Sequence, residues 1–351
     1  MNKQDKIYVA GHQGLVGSAV SRRLTALDYH NRVSRTHAEL DLRDTLAVNR
    51  FFQEERPKYV YLCAARVGGI IANNTRRAEF LYDNIMITTN VIHAAKEYGV
   101  KKLLNLGSSC VYPRDAAIPF REDALLSGKL ETTNEPYAIA KIAGIKFCRA
   151  MYEQYGCHYF SVMPPNLYGP SDNDDFSSSH VLPAMIRKLH LGKLLQSGNF
   201  EAIQNDLNRG VTAPITNFEE LTGKLEKLGI RKKSVTLWGS GTPLREFLFV
   251  EDLAEALIML MNTAQAEEIG EIINIGSSEE ISLKGLANLI AEIVEYRGDI
   301  HWDRSMPDGV SRKLMDSTRI HALGWQPKVS LKQGIRRTYQ QYLSTFSPEK
   351  S

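Results

Sequence analysis

Short apolar runs alternate with segments of helical apolar spacing through the first half of the chain. Lys6-Ile-Tyr-Val-Ala10 reads as a buried strand, followed by a glycine-rich turn and a helix running to about Leu27. Tyr59–Ala64, Lys102–Leu106 and Phe160–Met163 read as further strands, while Asn84–Tyr98 and Pro136–Tyr155 carry apolar residues at helical spacing. This alternation predicts an α/β fold, a Rossmann-type doubly wound parallel sheet over residues 1–170. Beyond residue 170 the pattern loosens. Val235–Trp238 and Glu271–Asn274 read as strands and Ser282–Tyr296 as a helix. The expectation is a smaller mixed α/β substrate-binding lobe over 171–351, with a segment near 245–275 returning to the first sheet.

One stretch stands apart, polar and glycine-dotted, from about 196 to 234. Thr216-Asn-Phe-Glu219 has the spacing of a capping box, Leu221, Leu225 and Leu228 share one face, and Gly229 suits a helix end. The pattern predicts an inserted subdomain or lid; a surface excursion without a role is the alternative.

Composition narrows the function classes. With 351 residues, 43% hydrophobic and 24% charged, the chain has ample material for a core. A net charge of +3 is too balanced for a general nucleic-acid binder, and Arg231-Lys232-Lys233 reads as a solvated loop. The longest apolar run, Ala256–Met261, falls far short of the roughly 18–20 residues a spanning helix needs, which argues against a membrane protein. The opening residues pass straight into a strand without an apolar leader. Cys63, Cys110, Cys148 and Cys157 share no metal-binding spacing, so no metal site is expected and a reduced, cytoplasmic setting fits.

Chemistry enters with Gly11-His-Gln-Gly14-Leu-Val-Gly17, directly after the first strand and opening a helix. Glycines there let the backbone turn tightly and approach a pyrophosphate lying at the helix N-terminus. An acid at the end of the second strand would favour NAD by gripping the ribose hydroxyls. Val33-Ser-Arg-Thr-His37 has none, and Arg35 suits a 2′-phosphate, so the expected cofactor is NADP(H). Asp41 suits the adenine amino group or, alternatively, a cap on the following helix. Tyr137 and Lys141 lie one helical turn apart, and Ser108 ends a strand upstream. A nearby ammonium and the cofactor's positive ring would favour the phenolate, letting the tyrosine trade protons near neutrality.

These residues place the chain by resemblance in the extended short-chain dehydrogenase/reductase superfamily. It more closely resembles the GDP-L-fucose synthase family of GDP-4-keto-6-deoxy-D-mannose epimerase/reductases. The likeness is carried by the glycine turn, Val67-Gly-Gly-Ile70, Gly107-Ser-Ser-Cys-Val-Tyr-Pro113 and Asn134-Glu-Pro-Tyr-Ala-Ile-Ala-Lys141. It continues in Asn166-Leu-Tyr-Gly-Pro170, His180-Val-Leu-Pro183, Trp238–Phe247 and Pro307-Asp-Gly309. Related 4,6-dehydratases usually carry an Asp–Glu pair where this chain has Ser109-Cys110.

The resemblance implies a GDP-4-keto-6-deoxy-sugar substrate, epimerised at C3, C5 or both and reduced at C4 with NADPH. It assigns proton removal and return to Cys110 and His180, and binding of the C4 oxygen to Ser108 and Tyr137. Lys141 would hold the nicotinamide ribose and lower the tyrosine pKa. Gly11, Gln13, Gly14, Leu15, Val16, Gly17, Arg35, Asp41, Lys141, Asn166, Leu167 and His180 would contact the cofactor. Lys188, Trp238, Arg245 and Asp308 would hold the GDP-sugar, with the Arg245 fork on the diphosphate. A homodimer packed through the helices around 84–98 and 136–155 is also implied. In two places the chain departs from the family: Gln13 and His37 replace arginines that in bacterial members would flank the 2′-phosphate, which counts against NADP without supplying an acidic NAD signature, and compact members lack the 196–234 segment. Because both flanks of that segment carry sugar- or nucleotide-site residues, it is expected to dock as a cap that admits a bulkier sugar, such as a 6-deoxy-heptose. Other readings are reduction of GDP-4-keto-6-deoxy-heptose, action on GDP-4-keto-3,6-dideoxymannose, and a non-catalytic NADPH-binding regulator.

Overall fold

The computed structural model describes residues 1–176, 178–209, 211 and 213–346; residues 210 and 212 of the expected insertion and 347–351 of the expected second lobe lie outside them. The chain divides into two compact units. The first comprises Met1–Asp172, Glu246–Glu280 and Lys313–Ser330, and the second Asn173–Arg245, Ile281–Arg312 and Leu331–Ser351.

The first unit opens with β1 (Ile7–Ala10), α1 (Leu15–Ala26), β2 (Arg32–Val33), α2 (Thr45–Glu55) and β3 (Tyr59–Leu62). It continues through α3 (Ile70–Thr75), α4 (Arg77–Glu97), β4 (Lys102–Leu106), α5 (Glu135–Tyr155), β5 (His158–Met163) and β6 (Asn166–Tyr168). In the second unit come α6 (Val181–Ser197), α7 (Phe200–Leu207), α8 (Phe218–Lys227) and β7 (Ser234–Trp238). The chain re-enters the first unit within β8 (Leu244–Phe249), followed by α9 (Val250–Thr263), α10 (Ala266–Ile269) and β9 (Ile272–Asn274). The remaining elements are β10 (Glu280–Ser282), α11 (Leu283–Val294), β11 (Asp299–Asp303), β12 (Arg312–Lys313), α12 (Thr318–Ala322) and α13 (Leu331–Ser344).

Among the described residues the first unit's main sheet has the order β2-β1-β3-β4-β5-β9, every neighbouring pair parallel. Its strands are near-continuous apolar runs because both faces are covered. In β1 alternate side chains point to opposite faces. Ile7 and Val9 join Ala19, Val20 and Leu24 of α1 and Leu253 and Leu257 of α9, while Tyr8 and Ala10 join Val48 and Phe52 of α2 and Val91 and Ala95 of α4. A second parallel pairing sets Asn166 opposite Phe247 and Tyr168 opposite Phe249.

Three differences from the sequence reading are physical. Helix α4 begins at Arg77 rather than near Asn84, because its first turns bury Phe80 and leave Tyr82 61% exposed, an arrangement with little periodic signal. The expected second lobe over 171–351 is interrupted, since Lys313–Ser330 belongs to the first unit. Phe120 donates its N–H to the Leu314 carbonyl, Asp316 donates to the Phe120 carbonyl, and Ile320 and Trp325 enter the core. The stretch 196–234 forms two helices, not one. Asn217, rather than Thr216, caps α8 by accepting the Glu220 N–H, while Leu221 and Leu225 are buried and Gly229 (φ +76°) follows the helix end. Within the second unit β7 and β11 pair in parallel, with α6 packed on α7 and α11. Among the described residues no helix is long and apolar enough to cross a membrane.

Candidate active site

The glycine turn has the shape an anion needs. Gly11 sits at φ +80°, and a Cβ there would lie 2.8 Å from the Ala64 backbone at the end of β3. A Cβ on Gly17 would collide with the Gly11 carbonyl oxygen. Gly14 is the N-cap of α1, offers no side-chain cap, and has no acidic residue in the turn it opens. The first-turn N–H groups of Leu15, Val16 and Gly17 are therefore left without intrahelical or capping partners, a fit for a pyrophosphate. Gln13 is exposed beside them.

At the adenosine end, Arg35 lies over the Phe51 ring at 5.5 Å and donates to Glu55 at 2.6 Å. Asp41 is not a helix cap. Asp44 caps α2 by accepting from the Leu46 and Ala47 N–H groups, while Asp41 is gripped by the Arg43 fork, which holds its carboxyl down at about 2. Ionised Asp41 remains an acceptor, and Arg43, which also reaches Asp83 at 3.1 Å, is a partner the sequence reading missed.

Ser108, Cys110, Tyr137 and Lys141 all belong to the first unit. β4 ends at Leu106; two residues later the Ser108 side chain accepts the Cys110 N–H and starts a short helical turn. Cys110 is buried, which pushes its thiol pKa up, opposed by the Ser108 hydrogen bond and the charges of Lys313 and Lys141. Pro136 fits the first turn of α5, where a missing N–H costs nothing. From that helix Lys141 donates to the Leu106 carbonyl at 2.7 Å, its single hydrogen bond among the described residues, with its ammonium 5.7 Å from the centre of the Tyr137 ring. Burial lowers this lysine to about 8. With no cofactor ring beside it, burial, with Cys110 adding, raises the Tyr137 pKa well above its ordinary value; the expected pull toward phenolate would have to come from the bound cofactor and Lys141. In this state the Tyr137 phenol keeps its proton at neutral pH. A buried ammonium retaining two free donors suits ribose hydroxyls. In β6, Asn166 uses its side-chain amide on the Glu246 carbonyl, and Leu167 is half-buried beside it.

The second unit carries the remaining candidates. His180 is the N-cap of α6, its side chain makes no capping hydrogen bond, and desolvation lowers its imidazole pKa although the ring reaches solvent. Lys188 donates to the Thr236 carbonyl at 3.0 Å and lies 5.9 Å from the centre of the Trp238 ring; burial lowers it to about 8. Trp238 is 52% exposed, so it is no core aromatic and offers a face for stacking. Arg245 donates to the Asp308 carbonyl at 3.4 Å, and the Asp308 carboxylate accepts the Ser240 N–H at 2.6 Å, which lowers its pKa. Gly239 (φ +84°) lies against that carboxylate, where any side chain would collide. Lys188 is thus paired with an aromatic ring, and Arg245 with the main chain of an acidic residue.

Comparison with known proteins gives this geometry a context. The model of the NAD dependent epimerase/dehydratase family matches residues 7–276. GDP-L-fucose synthase 1 of Arabidopsis thaliana is 48% identical over 342 residues, covering 97% of this chain and 94% of the plant protein. A solved GDP-6-OMe-4-keto-L-xylo-heptose reductase from C. jejuni is 40% identical with a TM-score of 0.94, over 98% of this chain and 99% of that one. A GDP-mannoheptose C4 reductase from Campylobacter jejuni, solved with NADP bound, is 40% identical with a TM-score of 0.87 over the same shares.

Proposed function

The chain belongs to the NAD dependent epimerase/dehydratase family, and from that premise we propose that it is an NADPH-dependent enzyme that epimerises and then reduces a GDP-4-keto-6-deoxy-sugar, as in GDP-L-fucose synthesis. The observation that carries this reading is the cluster at the C-terminal end of β4, where Ser108, Cys110 and the Lys141–Leu106 contact meet. Ligands of open α/β sheets bind outside the carboxyl ends of the strands.

Each group's chemistry follows from its state. A ketone at C4 acidifies the protons at C3 and C5. Ser108 and Tyr137 donate to the C4 oxygen and stabilise the enolate formed when either proton leaves. Cys110 and His180 handle removal and return: a thiol raised by burial and an imidazole lowered by desolvation are both neutral at rest, one donor and one acceptor. Tyr137 protonates the C4 alkoxide at reduction. NADPH supplies the hydride when bound. The N–H groups of α1's first turn would hold its pyrophosphate, Arg35 its 2′-phosphate with Gln13 beside it, Asp41 its adenine, and Lys141 its ribose, with Asn166, Leu167 and His180 also contacting the cofactor. Lys188, Trp238, Arg245 and Asp308 would hold the GDP-sugar.

A second reading, C4 reduction of a GDP-heptose without obligatory inversion, is favoured by the two C. jejuni structures. A silent regulator is disfavoured by the presence of both Tyr137 and Lys141. The exposed Tyr82 on α4 and Ile139 on α5 support a homodimer packed through these helices, and the free thiols of Cys63, Cys110, Cys148 and Cys157 suit the reduced setting of a cytoplasm. The test is incubation of the purified protein with NADPH and a panel of GDP-4-keto sugars in D2O, with products read by NMR. Deuterium at C3 or C5 of an inverted, reduced sugar supports the first reading. Reduction without exchange supports the second, and no turnover refutes both.

A further inference from the structure

Behind α6 lies a buried polar network that the reaction does not use directly. Asp206, near the end of α7, is fully buried. Its carboxylate accepts from Arg187 Nε at 2.8 Å, from Arg209 at 3.3 Å and from the Tyr342 hydroxyl of α13. Arg187, on α6, also donates to the Asp206 carbonyl at 3.0 Å and to the Asp174 carbonyl at 3.1 Å, with its guanidinium 4.5 Å from the centre of the Phe176 ring. Arg209 donates to the Asp174 carboxylate at 2.8 Å. Asp174 is thus held twice, by its main chain and by its side chain.

The two arginines and two aspartates balance in charge, and the Tyr342 phenol, raised by burial and by Asp206, stays a donor. Desolvating so many charges gives little stability over an apolar core of the same shape, so such a network is better explained by the geometry it imposes. What it grips is the approach to His180. Asp174 lies six residues before that histidine. Among the described residues of this stretch, Ser178 and Ser179 donate their N–H groups to the Asp175 carbonyl, and the Asn173 amide donates to the Ser178 hydroxyl. These bonds join the residues on either side of Asp174 directly to Ser178 and Ser179, the neighbours of His180. His180 has extended backbone and no capping bond of its own to fix its side chain.

We propose that Asp206 and Arg209 are positioning residues for His180, so that the 196–234 segment serves epimerisation by fixing the loop that aims the imidazole. This inference rests on the epimerase/reductase reading above. A mis-set proton-transfer group loses rate steeply, about a hundredfold for a displacement near 1 Å.

The test uses Arg209→Met, which keeps the aliphatic stem at a partly exposed position and removes both of its ionic contacts. Deuterium incorporation at C3 and C5 from D2O should fall about ten- to a hundredfold. NADPH oxidation with the same ketone should stay within about twofold, so that un-inverted reduced sugar accumulates. Arg209→Lys, which keeps the charge, should restore most of the exchange. Asp174→Asn, on the loop itself, should repeat the partition and guards against misfolding of the first variant. Exchange and reduction falling together in both variants, or neither falling, would overturn the proposal. Wild-type protein that reduces without any exchange would instead refute the epimerase reading, and this inference with it.

Discussion

Lys141 places a charge where the fold resists it, and that resistance is measurable. Replacing it with methionine keeps the stem and removes the ammonium. The side chain is 3% exposed, so solvent screens little of the cost. Burial moves it from an ordinary 10.5 to about 8, and at about 1.4 kcal/mol per pKa unit the charged form costs roughly 3 kcal/mol. Below pH 8 the lysine is protonated folded and unfolded alike, and the fold bears the full cost. Between about pH 8 and 10.5 the unfolded chain holds the proton that the folded one has released, so wild-type stability rises with pH relative to the variant. The lost hydrogen bond to the Leu106 carbonyl, worth about 1 kcal/mol, shifts the variant's curve without tilting it. Urea unfolding of both proteins without nucleotide at neutral pH and near pH 10.5 gives a double difference in which every titrating group that does not sense Lys141 cancels, leaving the lysine with its smaller coupling to Cys63 and Cys110. The wild type should gain roughly 3 kcal/mol on the variant over that span. Parallel curves would refute the buried-ammonium account, and with it the argument that Lys141 waits for a polar ligand.

The other predictions concern turnover and nucleotide choice. Tyr137→Phe should cut NADPH-driven reduction by about 10²- to 10⁴-fold. It should leave the unfolding midpoint unchanged, because the ring keeps its edge-on contact with Phe80 and no hydrogen bond of the hydroxyl is seen among the described residues; wild-type turnover would remove the tyrosine from the chemistry. Cys110→Ser should slow deuterium exchange and let the un-epimerised ketone be reduced, as NMR of the product would show. The normal product at the normal rate would leave Cys110 a packing residue. Arg35→Ala should weaken NADPH binding more than NADH binding in fluorescence titrations, and equal losses would mean that the 2′-phosphate is held elsewhere.

Much of the fold was legible because parallel strands covered on both faces are apolar runs, as at Ile7–Ala10 and Lys102–Leu106, and α5 carries a clean helical period. The glycine turn was legible because Gly11 and Gly17 have backbone neighbours that exclude any side chain. Segment 313–330 was not, since it is anchored to the first unit by isolated residues such as Met315, Ile320 and Trp325. Helix α7 was hidden because it buries an aspartate, Asp206, beside Ile203 and Leu207, and a buried charge reads as a solvated one until its partners are seen. The protonation state of Tyr137 depends on burial by residues far away in sequence, which a Tyr–Lys spacing does not report.

The interleaving of the two units bears on how the protein is made. The chain leaves the first unit after Asp172 and gives it its last segment only at Lys313–Ser330. Glu246 shows what must wait: its buried carboxylate accepts N–H groups from Ser278 and Met315, which follow it by dozens of residues. Emerging from the ribosome at about 5–20 residues per second, the first unit stays unfinished until nearly the whole message has been read. A chain stalled before Lys313 displays core surface meant for Ile320 and Trp325, one stalled at Asp172 also displays the surfaces meant for α9 and β9, and either becomes a client for chaperones and proteases. Neither unit is therefore obtained by cutting the gene at one place, and a fragment ending at Asp172 lacks part of its own core.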